Sequence, residues 1–239
     1  MTITLRSRQQ RGQFELKPEI YGQSVLGAAL LYFPAQVHNA DSGLIIAGTH
    51  GDETASITSL SCALRSIQAQ YLHHHVILSV NPDGNQLGTR ANANGVDLNR
   101  NFACNNWLQG GTVYRWSTHE PERDVLIGTG KTGNSEPETQ ALCQLIDELE
   151  PAWVVSLHEP LACIDDPANS DLGQWFANQM QAPLVGDVGY ETPGSFGSWC
   201  AERDLLCVTV ELPAVSSDFA SQEYQAMLVD LLTGKANTD

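Results

Sequence analysis

"GLIIAGTHGDETASITSLSCALRSIQA", residues 43–69, decides the fold of this 239-residue chain. Its first six residues, 43–48, form a short, continuous apolar run of the kind that makes a buried strand. Residues 54–69 carry apolar side chains at helical spacing and read as a helix. Only "THGDE", residues 49–53, is left to join them, so the turn is tight. Strand, tight turn and helix are the repeating step of an α/β architecture, in which functional side chains gather where the strands end.

The same grammar continues outward. "HVILSVN" (75–81) reads as a second strand, stopped by the turn signal "PDG". A polar, glycine-rich stretch then runs from Gly84 to Asn134, a length that is uncommon for a loop in a compact domain and often functional. "SEPETQALCQLIDEL" (135–149) predicts a helix, with Ser135 and Glu138 as a capping box and Leu142, Leu145, Ile146 and Leu149 as its apolar stripe. "AWVVSLHE" (152–159) and "LLCVTVELP" (205–213) read as strands, and "SQEYQAMLVDLL" (221–232) as a closing helix. No repeat or low-complexity linker divides the chain. The expectation is one α/β domain over 1–239 with a mixed, mostly parallel sheet, residues 1–20 forming a flexible N-terminal extension.

Composition narrows the function classes. Hydrophobic residues make up 42% and charged residues 17%, which fits a folded soluble domain. No apolar run approaches the roughly 20 residues that span a bilayer. The opening "MTITLRSRQQRGQFELK" has positive charge without an apolar stretch behind it, so a cytoplasmic location is expected. Twelve basic against 28 acidic residues give a net charge of −16, a field that argues against nucleic acid and anionic membranes as partners. An anionic substrate would have to be met by locally placed arginines. The six scattered cysteines are expected to be reduced and mainly buried. Oligomeric state is not encoded in any of these features.

Several polar side chains stand at predicted strand ends. His50 and Glu53, three apart in the turn, supply an imidazole nitrogen and a carboxylate oxygen, both suitable zinc ligands. The pattern alone is equally met by a loop histidine and an acid in a first helical turn, where the dipole favours negative charge. His158 follows "WVVSL" at another strand end and is the best candidate for a third ligand. His38, His119 and the run 73–75 lack such a position. Two histidines and one glutamate would leave a fourth zinc position open for water, as catalytic sites do. Glu211 in "VTVELP" puts a carboxylate on an otherwise apolar strand, as a catalytic base or as a salt-bridged edge residue. "TRANANGVDLNRNF" (89–102) brings Arg90, Asn99 and Arg100, suited to carboxylate and oxyanion binding or simply to solubility. "GYETPGSFGSW" (189–199) places Tyr190 ahead of a glycine-rich turn, a candidate lid.

In this order, "HGDE", "NPDG", an arginine followed by "DLNRNF", "SEPET", "SLH", "GYETPGS" and "VTVEL" resemble the zinc carboxypeptidase family, the carboxypeptidase A-like metallopeptidases. The likeness runs from about Gly43 to Leu212. It implies a mixed eight-stranded sheet with helices on both faces, and one zinc ion per chain held by His50, Glu53 and His158. It implies that Glu211 activates the attacking water and passes the proton to the leaving amine, and that Arg90 stabilises the oxyanion. Asn99 and Arg100 would hold the carboxylate beside the scissile bond, and Tyr190 would close over the substrate. Asp52 would orient an imidazole.

Longer stretches such as "RANANGVDLNRNF" and "VGYETPGSFGSWCAE" resemble the branch of the family that acts on murein peptides. That likeness implies a small-peptide substrate, murein tripeptide, cut between γ-D-glutamate and meso-diaminopimelate during cell-wall recycling. Asp165 and Asp166 in "IDDP" would help read the distal amino acid head of diaminopimelate, or else cap a loop. The alternative is an N-acyl amino-acid deacylase of the succinylglutamate desuccinylase or aspartoacylase type, which shares related "HGxE" and "DLNR" patterns. "NPDG" and the tyrosine-bearing turn favour the peptidase branch.

Overall fold

The apolar runs become the middle of a twisted sheet. The computed structural model describes residues 3–37, 40–115 and 124–237. Strands β1 (Glu19–Gln23) and β2 (Ala29–Tyr32) form a hairpin, followed by β3 (Leu44–Ala47), α1 (Thr54–Ser66), β4 (His75–Ile77) and α2 (Pro82–Leu87). An antiparallel pair, β5 (Gly111–Arg115) and β6 (Asp124–Gly128), precedes α3 (Pro137–Leu149), β7 (Trp153–His158) and β8 (Ile164–Asp165). The chain continues through α4 (Asp171–Met180), β9 (Leu184–Val185), α5 (Phe196–Ala201), β10 (Leu206–Glu211), α6 (Ser217–Glu223) and α7 (Gln225–Leu232).

The main sheet has six strands, in the order β4-β3-β7-β10-β8-β9. Only β8 against β10 is antiparallel. This corrects the expected eight. β1 and β2 approach the edge strand β4 through a single bridge, in which Phe33 N–H donates to Val76 O at 2.7 Å and Val76 N–H to Phe33 O at 3.0 Å. The ladder goes no further, because the next donor on that side, Ala35 N–H, is directed at His75 Nδ1 at 3.3 Å rather than at a strand carbonyl.

Every residue of β3 and β7 is buried, and strand alternation divides them between two cores. Ile45, Val155, Leu157, Val208 and Val210 meet α1, α4, α6 and α7 through Leu60, Leu64, Phe176, Ala220 and Leu228. Leu44, Ile46 and Val154 meet α3 and α5 through Leu142, Ile146, Phe196 and Trp199. On this second face the apolar pattern stops short of the strand ends. Along β7, Val154 gives way to Ser156 and His158; along β10, Cys207 gives way to Thr209 and Glu211. A polar patch is thereby set at the carboxyl end of an otherwise apolar surface.

Local chemistry changes several sequence expectations. "PDG" opens a short helix rather than a turn, because Asn81 accepts from Gly84 N–H at 2.9 Å and Pro82 fits the first helical position. Ser135 and Glu138 do not cap α3. Ser135 Oγ accepts from Asn101 at 3.0 Å, and Glu138 accepts from Val25 N–H and Asn92 at 3.0 and 3.1 Å. Their side chains pin down the long polar stretch instead. The closing helix is split at Tyr224 into α6 and α7. Residues of the N-terminal segment are tied to α1 rather than free: Arg6 N–H donates to Ser66 O at 2.8 Å, Arg65 donates to Arg11 O at 2.7 Å, and Leu16 joins the first core. No helix among the described residues is long and apolar enough to cross a membrane. All six cysteines are free, and three of them are buried.

One core histidine has a consequence for stability. His74 is buried against Trp153, ring centroids 4.7 Å apart, and its Nδ1 accepts from Gly43 N–H at 3.1 Å. Burial, with His73 and His75 adding to it, pulls its pKa down to about 4. The unfolded chain therefore takes up this proton near the ordinary pKa of about 6.5 while the folded chain does not. The contribution is complete above pH 6.5 and is lost as pH falls toward 4, a range worth about 3 kcal/mol. In His74→Asn, which keeps an acceptor for Gly43 but cannot be protonated, denaturant melts between pH 7 and 4 are expected to show a shallower loss of stability. Identical slopes in the two proteins would remove His74 as the cause.

Candidate metal centre and catalytic cleft

The turn between β3 and α1 is shaped by its neighbours. A Cβ on Gly51 would lie 2.1 Å from the backbone carbon of Gly84, so the turn presses directly on α2 and only glycine fits. Glu53 occupies the N-cap position of α1, yet its side chain makes no capping bond. Glu159, just beyond β7, takes that duty by accepting from Ala55 and Ser56 N–H at 2.7 and 3.0 Å. The Glu53 carboxylate is released to face inward, and the same contact fastens the start of α1 to the end of β7.

There, side chains from two strand ends converge. His50 Nδ1 lies 2.6 Å from Glu53 Oε1 and 3.2 Å from His158 Nδ1, and His158 Nδ1 lies 2.9 Å from Glu53 Oε2. All three residues are buried, and this is the one group of potential metal-ligating side chains found among the described residues. Zinc bonds of 2.0–2.1 Å in a tetrahedron imply ligand separations of roughly 3.3 Å. The donor set and its spacing fit such an ion.

The second nitrogen of His50 is held by a residue that sequence reasoning missed. Nε2–H donates to Asp97 Oδ1 at 3.0 Å, which fixes the ring so that Nδ1 faces the cluster. Asp52, expected in that role, is exposed. Neighbourhood in sequence favoured Asp52; the fold delivers Asp97 from 47 residues away. In sequence Asp97 is only the first residue of "DLNR", ahead of Asn99 and Arg100, and nothing local ties it to His50. Asp97 Oδ1 also accepts from Asn99 N–H at 2.9 Å, setting the turn that carries Asn99 and Arg100.

The electrostatics favour a cation at this point. Burial works most strongly against charge on His50, and Arg90 adds to it, yet Glu53 and Asp97 outweigh both and hold its pKa at about 9. Burial raises the Glu53 carboxyl, but His50 and His158 overcome it and leave the group well below the usual carboxylate range. Asp97 is driven down likewise, against burial, by His50 and Arg90.

A cavity of about 100 Å³ opens over the cluster, lined also by Arg90, Asn99, Arg100, Tyr190 and Glu211. Glu211 stands opposite His158 in the register of β10 and β7. It is 8% exposed, and its Oε2 accepts from Leu161 N–H at 3.4 Å. Burial pushes its pKa up, with His158 opposing and Glu53 reinforcing. Arg90 Nη1 lies 3.1 Å from Glu53 Oε1, so its guanidinium borders the cluster itself. Asn99 Oδ1 accepts from Phe196 N–H at 2.9 Å, which orients the amide beside Arg100. Tyr190 is 55% exposed at the mouth. The segment after it is only partly loop: Ser195 caps α5, and Phe196 and Trp199 are buried.

The structure separates Asp165 from Asp166. Asp166 accepts from Ala168 N–H at 3.1 Å and from Ser170 N–H and Oγ at 2.7 Å each, which closes its own loop. Asp165 lines the cavity. His38 and His119 lie outside the described residues, and His73, His74 and His75 sit at the far end of the sheet.

A family model described as zinc carboxypeptidase matches residues 16–163. Murein peptide amidase A of Escherichia coli K12 is 59% identical over 232 residues, covering 97% of this chain and 96% of that protein. The protein of that name from Vibrio campbellii is also 59% identical, over 97% and 94%. The crystal structure of the murein-tripeptide amidase of Escherichia coli O157 superposes with a TM-score of 0.93 at 58% identity, covering 98% of each chain. Carboxypeptidase A of Helicoverpa armigera shares the fold, with a TM-score of 0.70 at 18% identity, over 92% of this chain and 68% of that one.

Proposed function

Because the chain belongs to the zinc carboxypeptidase family, we propose that it hydrolyses murein tripeptide, L-Ala-γ-D-Glu-meso-diaminopimelate, at the γ-D-glutamyl–diaminopimelate bond. The convergence of His50, Glu53 and His158 beside the buried base Glu211 is the observation that carries this reading. The 59% identity to murein peptide amidases over nearly the whole chain supports the substrate. On this reading its expected work is on cell-wall fragments, with the cytoplasm as the expected compartment.

His50, Glu53 and His158 would hold one zinc ion, whose chemistry is to acidify a water and to polarise the scissile carbonyl. Asp97 keeps the His50 ring in its ligating tautomer. Glu211 takes a proton from the attacking water and returns it to the departing amine. Its raised pKa makes it a stronger proton acceptor than an ordinary carboxylate. Arg90 meets negative charge developing on the carbonyl oxygen. Arg100 and the Asn99 amide grip the carboxylate on the leaving residue, a planar pairing that arginine favours. Tyr190 covers the bound peptide.

Incubation with the tripeptide is expected to release free diaminopimelate, detected by amino-acid chromatography, and a chelator should prevent it. Efficient cleavage of an acylated amino acid such as N-acetylaspartate or succinylglutamate, with the tripeptide left intact, would instead favour the deacylase reading.

A further inference from the structure

Beside the catalytic cavity lies a larger one of about 500 Å³, and Asp165, Thr209 and Tyr190 line both. Three adjacent strands supply a transverse row of side chains to the floor. In register, Ser156 of β7 stands opposite Thr209 of β10, which stands opposite Asp165 of β8. Cross-strand partners project to the same face, and this is the face that carries His158 and Glu211 two residues further along.

Two atoms of this row have no hydrogen-bond partner among the described residues: Ser156 Oγ and Asp165 Oδ1, both shielded from solvent. Ser156 is only 2% exposed and lines the catalytic cavity. A buried polar atom left without a partner costs about 1–3 kcal/mol, so two such atoms in one row, on either side of Thr209, mark where a ligand's polar groups belong. The charges are sorted as well. Arg90 and Arg100 line the catalytic end, whereas Asp165, Asp166, Asp187 and Asp204 line the larger cavity, with no lysine or arginine among its described lining residues. Asp166 is satisfied by its own loop. Burial, together with Asp187 and Asp166, raises the Asp165 pKa, a penalty that a cation in the cavity would relieve.

We propose that Asp165, on the row Ser156–Thr209–Asp165, is the specificity determinant that binds an ammonium group at the far end of the leaving residue's side chain. This rests on the reading of the chain as a γ-glutamyl amidase. The leaving residue is then gripped at two points: its carboxylate near the scissile bond by Arg100, and its distal ammonium by Asp165, with Ser156 Oγ accepting a further N–H. Residues with neutral or acidic side-chain ends leave both orphan atoms buried and unpaired, and are rejected for that reason.

Three γ-D-glutamyl substrates separate the contributions. They carry meso-diaminopimelate, lysine (ammonium without the distal carboxylate) or 2-aminopimelate (the carboxylate without the ammonium). The native protein is expected to turn over the first two with kcat/KM about 100-fold above the third. Asp165→Asn should lose about 100-fold on the ammonium-bearing pair and nothing on 2-aminopimelate. Inhibition of the native protein gives a reading independent of any variant: free lysine should compete and norleucine should not. Equal turnover of all three substrates, equal losses in Asp165→Asn, or equal inhibition by lysine and norleucine each overturn the assignment while leaving the amidase reading intact. Failure to cleave any of the three overturns both.

Discussion

Glu211→Gln is expected to lower kcat by about 10³–10⁴-fold while zinc content and KM stay close to native. The substitution keeps the shape of the side chain and an oxygen to accept from Leu161 N–H, so the strand end should be undisturbed. What disappears is the capacity to take a proton. Glu211 lies outside the trio that converges on the metal position, although it faces His158 across the ladder. In the proposed mechanism metal binding and proton transfer therefore divide between different side chains. Steady-state kinetics on the tripeptide with metal analysis of the same sample provide the check. Near-native kcat in a zinc-loaded variant would mean that another group is the base.

Removal of zinc is expected to abolish turnover and to lower the melting temperature by several degrees. Glu53, Asp97, His50 and His158 are buried in mutual contact, and their combined field favours positive charge at the centre. An ion that binds only the folded chain stabilises it by about 4 kcal/mol at a thousandfold excess over its Kd. For a domain of this size that corresponds to roughly 8–16 °C. Chelation followed by dialysis should depress activity and melting temperature together, and added zinc should restore both. Full turnover in protein shown by elemental analysis to carry no metal would refute the proposed centre.

The candidate site was more legible in the sequence than the sheet. His50, Glu53, His158 and Glu211 stand where apolar runs stop, and a buried ionisable group after such a run has few explanations other than chemistry. Strand count was harder to read, because the hairpin meets the ladder at the single Phe33–Val76 bridge and the next donor, Ala35 N–H, turns to the His75 ring. Ser135 and Glu138 have the spacing of a capping box, but partners on Asn101, Asn92 and Val25, distant in sequence, claim them. Asp97 was hidden for the same reason. Its role comes from a contact across the fold that no local pattern announces.

The sheet face that ends in polar residues also bears on how the protein can change. Ser156, Thr209, Asp165 and Glu211 occupy positions where the strands would otherwise carry apolar side chains against α5 and its loop. The orphan atoms of Ser156 and Asp165 weaken the folded state, so drift toward valine or isoleucine at these two positions is expected to make the chain more robust and, under the proposed assignment, less able to act. Selection for thermal resistance alone would be expected to erode the floor first, and lineages that keep these residues reveal a continuing demand for turnover.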